Sequence, residues 1–241
     1  MEKIVVAVHH ICFYNVTMTD ALSISLIPLL LFMIFRLTEE LIFPDPSLAE
    51  PDGLLAIGGD LSRERLILAY QNGIFPWFSE GDPICWYSPQ ERCVIVPEQV
   101  KVSKSMRKVL DAGLFSVTMD KAFKEVILNC AKSPRKGQDG TWITTEMQDA
   151  YIDLYENGWA HSVEVWHDGI LAGGLYGLAI NGVFCGESMF SLMSNASKTA
   201  LIWLCRNPDY RLIDCQLPND HLLSLGAVMI PQAEYLSILE D

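Results

Sequence analysis

The stretch AHSVEVWHDGILAGGLYGLAINGVFCGESMFS, residues 160–191, decides the fold. Residues 161–166 alternate between polar and apolar, and apolar runs follow over 170–180 and 183–190. Asp168-Gly169 and Asn181-Gly182 stand between these runs. Asp-Gly and Asn-Gly pairs tolerate the positive φ that tight hairpin turns require at both central positions. The stretch therefore predicts an antiparallel meander of three strands. A helix over 195–205 and a strand over 211–216 (RLIDCQ) follow. Meander, helix and strand make an α+β domain rather than a doubly wound sheet.

Working towards the N-terminus, helical patterns cover 103–110, 118–130 and 145–156; in the second, Phe123, Val126 and Ile127 share a face. Residues 37–97 are rich in Pro and Gly and hold one helix over 63–71, opened by Ser62 and stopped by Gly73. The division expected is a small N-terminal domain over 37–97 and a larger α+β domain over 98–241. Residues 21–35 form an apolar run containing Pro28. A bilayer span takes about 20 residues, and a secretory signal needs a basic start and a small-residue cleavage site. The expectation is an extension upstream of a start at Met33, with a marginal membrane anchor as the alternative.

The 241 residues carry 17 Lys and Arg against 30 Asp and Glu, a net charge of −13. That excludes an all-over basic coat for nucleic acid and leaves room only for a local patch. Such a patch exists between residues 101 and 136, which carry nine basic and three acidic residues. Lys104, Arg107 and Lys108 fall at i, i+3 and i+4 on one helical face, with Lys101 just upstream. They form either a phosphate-binding surface or an ordinary solvated helix face. The seven cysteines have no metal-ligand spacing and read as reduced thiols of a reducing compartment.

Catalytic motifs with a nucleophile, a P-loop or a HExxH zinc site are missing. Three polar residues stand out instead. Glu187 follows Gly186 in an apolar strand; it is either paired and functional or a strand-end carboxylate in water, since burying an unpaired charge is costly. Asp214 and Gln216, at i and i+2 of the last strand, would share one face. They either orient an amine or water together, or belong to a polar outer face over Ile213 and Cys215. Trp77, Trp86 and Trp142 lie in loops, where they pack over the core or stack on a ligand.

The segments GLLAIGGDLS (53–62), AYQNGIFPWF (69–78), WYSPQER (86–92), TWIT (141–144), AHSVEVW (160–166), GGLYG (173–177), FCGESMFS (184–191), NASKTAL (195–201), IDCQ (213–216) and SLGA (224–227) occur in this order. In that order they resemble the leucyl/phenylalanyl-tRNA–protein transferase family. The resemblance implies a small N-terminal domain and a C-terminal GNAT-like acyltransferase fold, with no metal, no coenzyme A and no other cofactor. It implies transfer of Leu or Phe, less well Met, from aminoacyl-tRNA to proteins beginning with Arg or Lys. The product is a degradation signal of the N-degron pathway, made in the cytoplasm without stable membrane association.

By the same resemblance, Asp214, Gln216 and Glu187 are the catalytic residues, with Asp214 polarising Gln216 and Gln216 contacting the attacking amine. Trp142, Leu175, Phe184 and Leu204 would line the amino-acid pocket, Trp77 would meet the terminal adenosine, and Asn219 would add a polar contact. Lys101, Lys104, Arg107 and Lys108 would hold the tRNA backbone. Tyr87, Gln90-Glu91, Pro218 and Leu204 depart from the family pattern, Leu204 standing where an aromatic is common. Residues 1–36 have no counterpart. Two other functions fit the residues: an aminoacyl-tRNA-dependent transferase with a cell-wall peptide amine as acceptor, and a non-catalytic tRNA-binding or membrane-tethered adaptor.

Overall fold

The computed structural model describes residues 2–6, 32–133 and 141–240. Most of the apolar run over 21–35 lies outside them. Among the described residues, no helix is long and apolar enough to cross a membrane.

The first sheet is built from β1 (Glu2–Val6), β2 (Phe32–Leu37), β3 (Leu54–Gly58), β4 (Phe75–Pro76) and β5 (Cys85–Tyr87), in the order β1-β2-β3-β5-β4. Ile34, Phe35 and Leu37 of β2 are buried, and Phe35 pairs in parallel with Ala56 of β3. Helix α1 (Arg63–Gln71) buries Leu66, Ala69 and Tyr70. Ser62 is its N-cap residue, although its side chain makes no capping bond.

The second sheet has the order β12-β6-β11-β10-β9-β8-β7. Its centre is the predicted meander: β8 (Ala160–His167), β9 (Ile170–Ile180) and β10 (Val183–Ser191), each antiparallel to the next. Asp168, Gly169, Asn181 and Gly182 all have positive φ, as two-residue hairpin turns demand. Helix α5 (Ala196–Leu204) then crosses over and delivers β11 (Leu212–Asp214) parallel to β10, so the sheet is mixed. On the far side of β11 lie β6 (Glu91–Ile95) and β12 (Val228–Pro231), both antiparallel to their neighbours. The first sheet thus ends with β5 at Tyr87, and the second begins with β6 at Glu91.

Both faces of the second sheet are covered. Helices α3 (Phe123–Lys132) and α4 (Thr145–Glu156) bury Phe123, Val126, Ile127, Met147, Tyr151 and Leu154 against one face, in a cluster that continues into the first sheet. Helix α5 buries Ala200, Leu201 and Leu204 with Val163, Val165, Leu175 and Phe184 on the other. Burial on both faces explains why β9 reads as an almost unbroken apolar run. The remaining helices are α2 (Lys104–Asp111), capped by the Ser103 hydroxyl accepting the Met106 N–H at 3.1 Å, α6 (Asp220–Ser224) and α7 (Gln232–Glu240).

Two expected elements are corrected. The helix predicted over 118–130 begins only at Phe123, as α3; residues 118 and 119 close a strand, β7 (Ser116–Met119), instead. Val117 and Thr118 are β-branched and pair with Val165 and Glu164, and Asp120 turns the chain with φ 58°. The strand predicted over 211–216 stops at Asp214, because Gln216 adopts a left-handed backbone with φ 54°.

Candidate active site

The site forms where the two sheets meet. Strand β10 pairs Gly186 with Gly177 and then Ser188 with Tyr176, so Glu187 is an extra residue in a β-bulge. Bulges turn a side chain out of the regular alternation and often sit beside functional sites. Here the bulge directs Glu187 to the helices of the first core. Tyr70 of α1 donates to its Oε1 at 2.6 Å, and Tyr151 of α4 donates to its Oε2 at 2.9 Å. The two tyrosine oxygens are 2.5 Å apart. Burial pushes the Glu187 carboxyl up to about 7, and the tyrosine hydrogen bonds pull it only part of the way back. Proton counting agrees with a high value. With a neutral Glu187 the three groups close a ring in which each donates once; with a carboxylate, both phenols donate to it and the tyrosine oxygens face each other without a proton.

Gln216 donates its side-chain Nε2 to Glu187 Oε1 at 3.1 Å. Its backbone N–H donates to Asp214 Oδ1 at 2.9 Å. The shared strand face expected for Asp214 and Gln216 does not exist: the left-handed turn separates them, and the Asp214 carboxylate meets the Gln216 backbone rather than its amide. Asp214 is fully buried. It accepts Arg92 Nε at 2.8 Å, Arg92 Nη2 at 2.7 Å and the Tyr235 hydroxyl at 2.9 Å. Arg92, 1% exposed, also donates Nη1 to the Gly73 carbonyl at 3.0 Å and lies over the rings of Phe75 and Tyr235. Burial disfavours its charge, but Asp214 outweighs that and raises the guanidinium above its usual range. Glycine suits position 73. Its φ is 68°, and a Cβ there would lie 2.6 Å from the Leu236 side chain.

Glu187 and Gln216 stay partly exposed, whereas Asp214 is sealed. A guest can therefore reach the first two and not the third. Among the described residues, no cluster of His, Cys, Asp and Glu could hold a metal ion.

The other candidates are scattered around this centre. Leu175, Phe184 and Leu204 come together in the apolar cluster under α5, all nearly or fully buried. Trp142 packs half-buried against the core that holds Tyr151. Trp77 follows β4, its ring edge-on to Tyr87 at 5.7 Å between centroids. Asn219 is exposed and caps α6, its Oδ1 accepting the Leu222 N–H at 2.9 Å. Lys101, Lys104, Arg107 and Lys108 are all exposed. A cavity of about 170 Å³ lies between α2, β7 and α5, lined by Leu110, Phe115, Trp203 and Arg206 among others, and Glu187 is not part of it.

Arg92, Tyr235, Tyr70 and Tyr151 escaped sequence reasoning. One signal pointed to Arg92: an arginine beside the apolar Cys93-Val94-Ile95 has to find a buried acid. The tyrosines gave none, because in a helical pattern a tyrosine counts simply as apolar.

The family described as "Leucyl/phenylalanyl-tRNA protein transferase" matches residues 94–240, and its N-terminal domain matches residues 59–90. The leucyl/phenylalanyl-tRNA–protein transferase of Desulforapulum autotrophicum is 53% identical over 207 residues, covering 85% of this chain and 90% of that one. The one from Flavobacterium psychrophilum is 55% identical over 207 residues, covering 85% and 98%. A GCN5-related N-acetyltransferase from Kribbella flavida aligns with 12% identity and a TM-score of 0.34, over 68% of this chain and 59% of that one.

Proposed function

Since this chain belongs to the leucyl/phenylalanyl-tRNA–protein transferase family and is an aminoacyltransferase, we propose that it transfers Leu or Phe, less well Met, from aminoacyl-tRNA to the N-terminal α-amine of proteins beginning with Arg or Lys. The product would enter the N-degron pathway. The reaction belongs in the cytoplasm, where charged tRNA is available.

The observation that carries this reading is Glu187, a partly exposed carboxyl held near pKa 7 by burial and bonded to the amide of Gln216. An aminoacyl ester is already activated, so the enzyme has to align two substrates and supply a neutral amine. A base titrating near 7 suits the removal of a proton from an α-ammonium. The amine nitrogen then attacks the ester carbonyl. The new C–N bond forms, the C–O bond to the ribose breaks, and the ribose oxygen leaves with a proton. No covalent enzyme intermediate is required. Gln216 uses its N–H on Glu187, which leaves its Oε1 to accept an N–H of the incoming amine.

The remaining roles follow the same reading. Leu175, Phe184, Leu204 and Trp142 would take the amino-acid side chain, Trp77 the terminal adenosine and Asn219 a polar contact. Lys101, Lys104, Arg107 and Lys108 would meet tRNA phosphates. Discrimination by such an apolar pocket is limited, at about 1–3 kcal/mol per methylene.

The test is a transfer assay with purified chain, labelled Leu-, Phe- and Met-tRNA side by side, and a peptide with N-terminal Arg. Label should reach this peptide from Leu- and Phe-tRNA and should not reach its N-acetylated form. Label on a cell-wall peptide amine instead would contradict the acceptor assignment.

A further inference from the structure

The Asp214 carboxylate is saturated. A carboxylate offers about four lone-pair sites, and here all four are occupied: Oδ1 by Arg92 Nε and the Gln216 backbone N–H, Oδ2 by Arg92 Nη2 and the Tyr235 hydroxyl. With no exposure and no free lone pair, it has nothing to offer an incoming amine. What it does hold is the backbone of Gln216 in the left-handed region, a conformation that residues other than glycine adopt when their surroundings impose it. That conformation lets the Gln216 side chain reach Glu187 on the neighbouring strand, at 3.1 Å.

We propose that Arg92 is a positioning residue for the transfer reaction: its two-pronged grip on Asp214 fixes the turn at Gln216 and so aims the Gln216 amide at Glu187 and the acceptor amine. This rests on the functional reading above and deepens it, turning Asp214 from a reacting group into an anchor. The guanidinium shape matters. Two parallel N–H donors fit both carboxylate oxygens while the third nitrogen ties the assembly to Gly73 in the loop after α1. A lysine ammonium is a point charge and cannot reproduce that fork. Arg92 thereby joins three separate segments: the end of α1, strand β6 and the turn after β11.

The test uses Arg92→Lys and, as a milder change that keeps the buried ion pair, Tyr235→Phe. Two quantities are read on each folded protein: the single-turnover rate of leucine transfer, and the ionisation midpoint of Glu187 followed by carboxyl NMR without substrates. The groups facing Glu187 are Tyr70 on α1, Tyr151 on α4 and Gln216, with Arg92 and Asp214 behind them, and only the last three are disturbed. Loss of the Gln216 donor removes a hydrogen bond that favours the carboxylate, so the midpoint should move up. Arg92→Lys should slow transfer at least tenfold, leave the KM for Leu-tRNA within twofold, and raise the Glu187 midpoint. Tyr235→Phe should act in the same direction to a smaller extent. An unmoved midpoint in folded Arg92→Lys overturns the proposal whatever the rate does. If Arg92→Lys does not fold, an unmoved midpoint in Tyr235→Phe overturns it. Failure of the wild-type protein to transfer leucine would sink the functional reading alone, because the NMR midpoints still decide the role of Arg92.

Discussion

Gln216 and Glu187, 29 residues apart in the chain, meet through a 3.1 Å hydrogen bond from the Gln216 amide to the carboxylate. The contact depends on two irregularities, the β-bulge that redirects Glu187 and the left-handed backbone of Gln216. Gln216→Gly separates backbone from side chain. Glycine accepts the same φ without strain, so stability should stay within about 1 kcal/mol of wild type. Transfer should still slow at least tenfold, a barrier increase of about 1.4 kcal/mol or more. Urea unfolding and single-turnover kinetics on one preparation check both halves.

Glu187 also makes stability depend on pH. Its folded pKa of about 7 lies above the ordinary 4.5. The folded state therefore binds the proton more tightly. The resulting stability is fully present below about 4.5 and lost as pH rises through about 7. The loss is at most about 3 kcal/mol, less whatever partial exposure screens. Glu187→Gln has no such titration. Its stability relative to wild type should be greater at pH 8 than at pH 5 by about 1–3 kcal/mol in urea unfolding.

The meander was legible because its signals are local: alternation, Asp168-Gly169 and Asn181-Gly182 specify strands and turns within a few residues. Helix α4 was equally plain, expected over 145–156 and found at Thr145–Glu156. The end of strand β7 was read as helix because only a three-residue turn separates it from α3, and its pairing with β8 is a tertiary fact. Glu187 was noticed because a carboxylate in an apolar strand requires an explanation. Its partners were invisible: Tyr70 and Tyr151 lie 117 and 36 residues away, and nothing local reveals that their hydroxyls converge. The turn at Gln216 was missed for a related reason. The grip of Arg92 and Tyr235 on Asp214, which shapes it, comes from distant segments.

Glycines on β9 set how closely β10 can approach. A Cβ on Gly177 would run into the Cys185 carbonyl and lie 2.6 Å from the Phe184 ring, while a Cβ on Gly186 would sit 3.5 Å from the Asp214 carbonyl. Gly177→Ala should cost about 1–3 kcal/mol or more through overpacking, displace the bulge and lower transfer. Gly186→Ala, an ordinary van der Waals fit, should stay within about 1 kcal/mol. Melting temperatures of the pair, measured together, test the contrast.

The exposed basic face of α2 should bind phosphate non-specifically. Replacing Lys104, Arg107 and Lys108 together by Ala should weaken binding of charged and uncharged tRNA alike. The slope of log affinity against log salt should become shallower by about 2–3. Filter binding at several salt concentrations measures it, and an unchanged slope would remove α2 from the interface.

The most direct test of the site is the single-turnover rate of leucine transfer to an Arg-initiated peptide as a function of pH, in wild type and Glu187→Gln. Ionisation of the peptide amine, near pKa 8, is common to both proteins. The wild-type rate should carry an additional rise through about pH 7 from Glu187, and Glu187→Gln should lose that rise together with at least tenfold in rate at pH 8. Superimposable pH profiles with similar rates would contradict Glu187 as the group that receives the proton.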